Sequence, residues 1–311
     1  WFSIVGSYAL VGQKNNNLSS SNYLLCTTCD FEYTTSRPQL LLHALQTDRV
    51  APFKLMGFDI ECDNSPGKFP EASENAVIDI GVTVGFIDST RGGMTITHKL
   101  VLVLGFIEEE FDRPDSDGVR TQYVSCSSEE ELMKKFNALF AGHEPDFVLG
   151  YNSNNFDFKY LYERIEILGL AQSCLQWGRL KGVSVHQRSV KTASNQRGCR
   201  ENVYTTIHGR VPIDMYTVIV NSNFKLRSYK LDAVAKHFLN MSKDDVPPNK
   251  ISEIHHSGPP GRLKIASYCV QDAILPLHLG DKLGTVLFYL QLARLTRLTC
   301  VVLLERGNQL R

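Results

Sequence analysis

The chain has 311 residues, 43% hydrophobic and 21% charged, with 33 basic against 33 acidic side chains. That length and mix fit one or two globular domains with a sizeable core and exclude a disordered or collagen-like chain. Zero net charge leaves a nucleic-acid partner to be argued from local patches. Eight cysteines in so long a chain read as reduced thiols, not a disulfide framework. The longest apolar stretch, Gly284–Leu304, carries Arg294 and Arg297, so no membrane span and no membrane partner are expected. No signal peptide is legible. A start without Met and an end at "ERGNQLR" read as an internal piece of a longer protein.

Residues 1–50 are read as a remnant of a β-rich N-terminal domain. Short strands are expected at Val5–Val11 and Asn22–Cys26, separated by the polar run Gln13–Ser21. Cys26 and Cys29 form a C-x-x-C with no second pair at zinc-finger spacing, so buried thiols are the better reading. Patterning sharpens at residue 53. Phe53–Glu61, Asn75–Ile87 and Thr95–Ile107 read as strands, and Asn64–Glu71 is a Pro/Gly loop. Ser127 and Ser128 with Glu130 and Glu131 give the capping-box spacing ahead of Leu132, Phe136, Leu139 and Phe140, which recur at helical period. Asp146–Gly150 is a short buried strand, followed by a helix over Phe156–Leu168. Val203–Ile207 and Arg210–Ile213 are expected to pair as a hairpin around His208-Gly209. Helices are expected near Met215–Val220, Leu231–Leu239, Leu263–Leu279 and Leu283–Leu295. Strands followed by interleaved helices indicate an α/β fold, a mixed β-sheet flanked by helices.

Four acids stand where elements end or begin. In "GFDIECD" Asp59 and Glu61 alternate around Ile60, so on a strand they share a face. Asp157 follows "GYNSNNF" at a strand-to-helix junction. Tyr268 and Asp272 are four apart on a helix and share a face. Four carboxylates in one cleft repel unless a cation lies among them. An all-oxygen donor set favours Mg2+ or Mn2+ over zinc. Two such ions can hold a phosphodiester for hydrolysis, with the Tyr268 hydroxyl orienting the attacking water. Taken singly, each signal has an ordinary explanation: a strand-end Asp as a cap, a Tyr-x-x-x-Asp as a surface pair, "GYNSNNFD" as a loop and N-cap.

Together and in order, "FDIEC", "GYNSNNFDFKYL" and "YCVQDAILPL" resemble the three exonuclease motifs of family B DNA polymerases. "GKFPE", "GRVPIDMY", "FKLRSYKLDAVAKHFL" and "KDDVPP" are similar to the delta-type replicative members of eukaryotes and large DNA viruses, and "ARLTRLTCVVLLERGNQLR" to the lead-in to the polymerase palm. Asn308 stands where that family usually has Gln. The resemblance runs over Phe53–Arg311. It implies an RNase H-like 3′–5′ proofreading exonuclease domain at 51–280, after the remnant at 1–50 and before a helical lead-in at 281–311. It further implies Asp59, Glu61, Asp157 and Asp272 as ligands of two ions (Mg2+ or Mn2+), Tyr268 as the water-orienting catalytic group, and Asn152 and Phe156 as contacts to the single-stranded primer 3′ end. The ring of Phe156 reads equally as core packing, and Asn152 as a turn former.

Gly178–Arg210 holds seven cations, among them Arg188, Lys191 and Arg197, and one acid, Glu201. This basic loop or hairpin suits a DNA backbone, with a solvated surface as its plain alternative. Phe224–Lys230 adds three cations among aromatics, or forms a helix entry. The polymerase motifs of the family do not occur by Arg311, so primer extension is expected elsewhere in a longer chain. The rest of that polymerase chain, DNA, and a sliding clamp or accessory subunits are the expected partners. An intracellular site of action, in a host nucleus or at a viral replication site, goes with the resemblance; the divergence of the text leans towards a viral source. A non-catalytic DNA-binding module and a free-standing nuclease are the rival readings.

Overall fold

The computed structural model describes residues 52–306, less 66, 88–92, 109–110, 113, 195–197, 223 and 242–245, together with Tyr8–Ala9, Thr28 and His43–Ala44. Cys26, Cys29, Asn22–Cys26, Arg197 and Asn308 lie outside the described residues. Within the expected strand Val5–Val11, Tyr8–Ala9 (β1) pairs antiparallel with His43–Ala44 (β2).

A six-stranded sheet organises the rest. Its strands are β3 (Phe53–Cys62), β4 (Val77–Ile87), β5 (Met94–Leu104), β6 (Thr121–Cys126), β7 (Phe147–Gly150) and β10 (Val211–Asp214), in the order β10-β7-β3-β4-β5-β6. β3, β4 and β5 form an antiparallel meander, while β7 runs parallel to β3, β10 parallel to β7 and β6 parallel to β5. The expected α/β class with a mixed sheet is therefore present. The β6 strand was not legible in sequence: TQYVSC has a weak alternation and polar neighbours.

Alternation in β3 divides the core. Met56, Phe58 and Ile60 pack with Leu132, Phe136 and Phe140 of α1 (Glu129–His143) and Phe158, Leu161 and Ile165 of α2 (Asp157–Ile167). Leu55 packs on the opposite side with Ile274 and Leu277 of α7 (Pro259–Lys282). The α1 cap follows the sequence pattern: Ser128 Oγ accepts from Glu131 N at 3.2 Å, and Glu131 Oε2 accepts from Ser127 N at 2.7 Å. Helix α7 begins at Pro259, four residues before the expected Leu263, because Pro in the first turn gives up no intrahelical bond.

The expected hairpin of Val203–Ile207 with Arg210–Ile213 does not form. Residues 198–206 are strand β9 (Gly198–Thr206), which pairs instead with β8 (His186–Ser194); Val203 stands opposite Ser189. β10 joins the main sheet beside β7, where Ile213 is buried with Phe147 and Leu149. The His208-Gly209 turn (Gly209 φ +83°) therefore connects hairpin to sheet. Burial of an edge strand against a helix layer outweighs the local turn signal. Phe224–Lys230 forms a connection without helix before α5 (Leu231–Leu239). The remaining helices include α3 (Ala171–Cys174), α4 (Met215–Asn221), α6 (Ile251–His256), α8 (Thr285–Thr296) and α9 (Cys300–Arg306). Among the described residues no helix is long and apolar enough to cross a membrane.

Candidate active site

Two glycines set the distance between the acids of β3 and those of α7. A Cβ on Gly57 would stand 2.3 Å from the Ala273 carbonyl oxygen, and one on Gly81 would stand 2.7 Å from that of Cys269. Only residues without a side chain let α7 lie this close to the sheet. Cys269 ties the contact: its sulfur accepts the Gly81 N–H at 3.1 Å, and its thiol donates to the Asp59 carbonyl at 3.4 Å. Complete burial pushes that thiol well up, so it acts as a neutral hydrogen-bonding group.

This packing brings Asp59, Glu61 and Asp272 together, with a carboxylate oxygen from each within 4.8 Å of the others. Glu61 and Asp272 are buried and Asp59 is partly buried. At an effective dielectric near 20, each ionised pair at that range repels by about 3 kcal/mol or more. Three such pairs call for positive charge among them. The donors are all hard oxygens, which suits Mg2+ or Mn2+. The residues present therefore fit a divalent cation.

Tyr268 lies one turn before Asp272 on α7. Burial first, then the charges of Asp272, Glu61 and Asp59, drive its hydroxyl far above the usual phenol range. It stays a neutral O–H able to orient an oxygen nucleophile. Pro276, four residues after Asp272, has no N–H for the Asp272 carbonyl, so the α7 hydrogen-bond ladder is interrupted at the acid.

Asp157 stands beside the three-acid cluster as the first residue of α2. It is 2% exposed, and its Oδ1 accepts the backbone N–H of Ile60 at 3.3 Å. Burial, and then the neighbouring charges of Asp214 and Asp272, push its carboxyl up to about 7. The loop before it turns sharply. Asn152 has φ +60°, and its carbonyl accepts from Asn155 and Phe156. The turn-forming role expected of Asn152 is thus present in its backbone. Phe156 is half-buried. Its ring packs on the α1/α2 core and also meets Phe69 edge-on at 5.4 Å. Phe69 itself is 74% exposed, an apolar ring presented to solvent beside the site.

The hairpin β8–β9 leans on the same loop. Asn155 Oδ1 accepts from Val203 N at 3.3 Å, and Gln187 Nε2 donates to the Phe158 carbonyl at 2.8 Å. The charge of the basic segment around it is partly spent inside the protein. Arg188 donates to Glu305 at 2.7 Å and lies over the Tyr204 ring. Arg210 is buried, giving its guanidinium to the carbonyls of Trp177, Pro145 and Phe140, and Arg179 bonds Glu144 and Asp146. Lys191 is exposed on β8. Three of the seven cations counted in sequence thus serve structure or an ion pair.

Sequence reasoning missed Asp214, Cys269 and Phe69. Asp63, just after β3, accepts from Ser252 and, at 3.1 Å, from His256; against the burial that would raise it, these bonds hold its carboxyl low and fasten α6 to the end of β3.

A family model described as the exonuclease domain of DNA polymerase family B matches residues 14–234. The chain belongs to the family B DNA polymerases. It is 34% identical to the DNA polymerase delta catalytic subunit of Drosophila melanogaster over 94% of its length, and 34% identical to that of Arabidopsis thaliana over 96%. The subunit of Bos taurus is 31% identical over 97%. The chain spans only about a quarter of the length of these relatives: 26%, 26% and 27%. What it holds is the 3′–5′ exonuclease part of such a polymerase. The family model ends before α7, and its match therefore does not reach Tyr268 or Asp272; the relatives' alignments cover nearly the whole chain.

Proposed function

We propose that this family B exonuclease domain removes mispaired nucleotides from the 3′ end of DNA at the cluster of Asp59, Glu61 and Asp272, with two divalent cations, Mg2+ or Mn2+. The observation that carries the reading is the meeting of three carboxylate oxygens within 4.8 Å across two elements far apart in sequence. Asp59, Glu61 and Asp272 would hold metal, with Asp157 completing the ligand set at the cluster's edge. Bound there, such ions would activate water and stabilise the leaving oxygen. Tyr268, kept as a neutral hydroxyl by its surroundings, orients the attacking water.

Phe156 and Phe69 offer ring faces on which an unpaired base can stack, and Asn152 lies on the same loop. A frayed mismatch reaches such a site more easily than a paired end because its unpairing cost is lower. Lys191 on β8, and Arg197, would meet the DNA backbone, and Arg188 would do so by exchanging its bond to Glu305 for a phosphate. The domain reading is 1–50 as the end of an N-terminal domain, 51–280 as the RNase H-like nuclease and 281–311 as the helical lead-in to a palm. DNA synthesis by a longer chain, a clamp or accessory subunits, and work in a nucleus or at a viral replication site belong to the same reading. Thermal melting tests the metal site. Mn2+ should raise the midpoint of the wild-type chain and leave that of Asp272→Ala unchanged; a binding-only module would show no metal shift in either.

A further inference from the structure

Asp214 serves two elements at once. In the parallel register β10 places it opposite Gly150, the last residue of β7, so the two chains leave the sheet side by side. One enters α4 and the other enters the loop to Asp157. Oδ1 of Asp214 accepts from Tyr216 N at 3.0 Å and Thr217 N at 3.4 Å, the ordinary work of an N-cap. The same oxygen accepts from Asn152 N at 2.9 Å, and Oδ2 accepts from Asn154 N at 3.3 Å. A cap for α4 needs neither of the last two bonds.

The loop has need of them. Among the described residues no strand pairs with it to take the N–H groups of Asn152 and Asn154. It returns so tightly that a Cβ on Gly150 would stand 2.5 Å from that of Ser153, which is fully buried. At its far end Asp157 is held by the Ile60 N–H, and Asn155 is held by Val203. Asp214 therefore fixes the near end of a segment whose far end carries a proposed metal ligand. We infer that Asp214 is a positioning residue: its carboxylate holds the Asn152–Phe156 loop so that Asp157 meets β3 between Asp59 and Glu61 and Phe156 stands against Phe69. Its effect on digestion rests on the nuclease reading above; its effect on the loop does not.

The two roles can be separated by side-chain length. Ser at position 214 caps a helix as well as Asp does, but its single short hydroxyl cannot span to the loop. In the 311-residue chain, Asp214→Ser should melt closer to wild type than Asp214→Ala. Both variants should exchange the Asn152 and Asn154 amide protons about tenfold faster or more, with α4 protection retained in Asp214→Ser alone. Both should lose about 10- to 100-fold in kcat/KM on a single-stranded oligonucleotide with Mg2+. Asp214→Asn, whose amide oxygen can keep the Oδ1 bonds to Tyr216, Thr217 and Asn152 while the acceptor for Asn154 is lost, should fall between wild type and Asp214→Ala and provides the comparison should Asp214→Ser fold poorly. Recovery of loop protection in Asp214→Ser together with the melting temperature would reduce Asp214 to a helix cap and overturn the inference. If wild type itself fails to digest DNA, the nuclease reading falls, and the exchange data still decide the tether.

Discussion

Asp157 accepts a hydrogen bond from the backbone N–H of Ile60, the residue that separates Asp59 from Glu61 in β3. Side chains of β3 alternate, so the two acids face α7 while Ile60 fills the core beneath α1 and α2. The amide between them lies in the plane of the sheet and is taken by an acid from a third element. The strand's side chains thus supply two of the three acids of the cluster, and its backbone orients a fourth acid beside it.

Burying that acid has a pH signature. The Asp157 carboxyl is raised to about 7 and that of Asp214 to about 6, both chiefly by burial. A carboxyl raised in the folded state keeps a proton that the unfolded chain has already lost. Its stabilising contribution is therefore complete below about pH 4 and is lost as pH climbs towards about 7. Partly buried imidazoles at His143, His208 and His278, lowered by burial, act in the opposite direction, so the signature is a difference: from pH 5 to pH 7 metal-free wild type should lose melting temperature relative to Asp157→Asn. Metal should raise the midpoint more at pH 7, where the carboxylates are ionised. An Asp157→Asn midpoint that changes between pH 5 and pH 7 just as that of wild type does would contradict the environment described for Asp157.

Gly81→Ala tests the contact that carries α7. The new methyl would stand 2.7 Å from the Cys269 carbonyl oxygen and 3.0 Å from Val270 N, both backbone atoms that cannot rotate aside. A loss of about 1–3 kcal/mol in denaturant unfolding is expected. Digestion should fall as well, because α7 must lift Asp272 away from Asp59. Unchanged stability and unchanged digestion would mean that α7 does not lie this close to β4.

Tyr268→Phe removes one oxygen from a half-buried position. We expect kcat on single-stranded DNA to fall by about 10- to 100-fold, with the Mn2+ melting shift retained, since the phenol orients water and does not hold metal. Loss of the melting shift in this variant would assign the hydroxyl to the ligand set instead.

Much of the site was legible because its geometry is periodic. Asp59 and Glu61 follow the period of a strand, and Tyr268 and Asp272 that of a helix, so sequence spacing alone puts each pair on one face. Asp214 was not legible. Its loop partners, Asn152 and Asn154, lie some sixty residues away and are brought to it by a parallel strand pairing that leaves no local mark. The same pairing explains why Val203–Ile207 and Arg210–Ile213 were misjudged: Gly209 signals a turn but not what the strand after it will join. Cys269 reads in sequence as an ordinary apolar helix residue, and only the bare backbone of Gly81 across from it turns its sulfur into a tie. The basic segment misled in another way. Composition counts Arg179, Arg188 and Arg210 as DNA-facing charge, whereas Arg210 and Arg179 bind carbonyls and acids of their own chain and Arg188 pairs with Glu305.

The central claim is that Asp59 and Glu61 belong to a metal-dependent 3′–5′ nuclease. It is tested most directly by following a 5′-labelled single-stranded oligonucleotide in the presence of Mg2+. With the wild-type chain we expect a ladder of products shortened stepwise from the 3′ end, abolished by chelation. Asp59→Ala combined with Glu61→Ala should slow it by orders of magnitude at an undiminished melting temperature. A ladder of equal intensity from the double variant, or none from a folded wild-type chain supplied with Mg2+ or Mn2+, would contradict it.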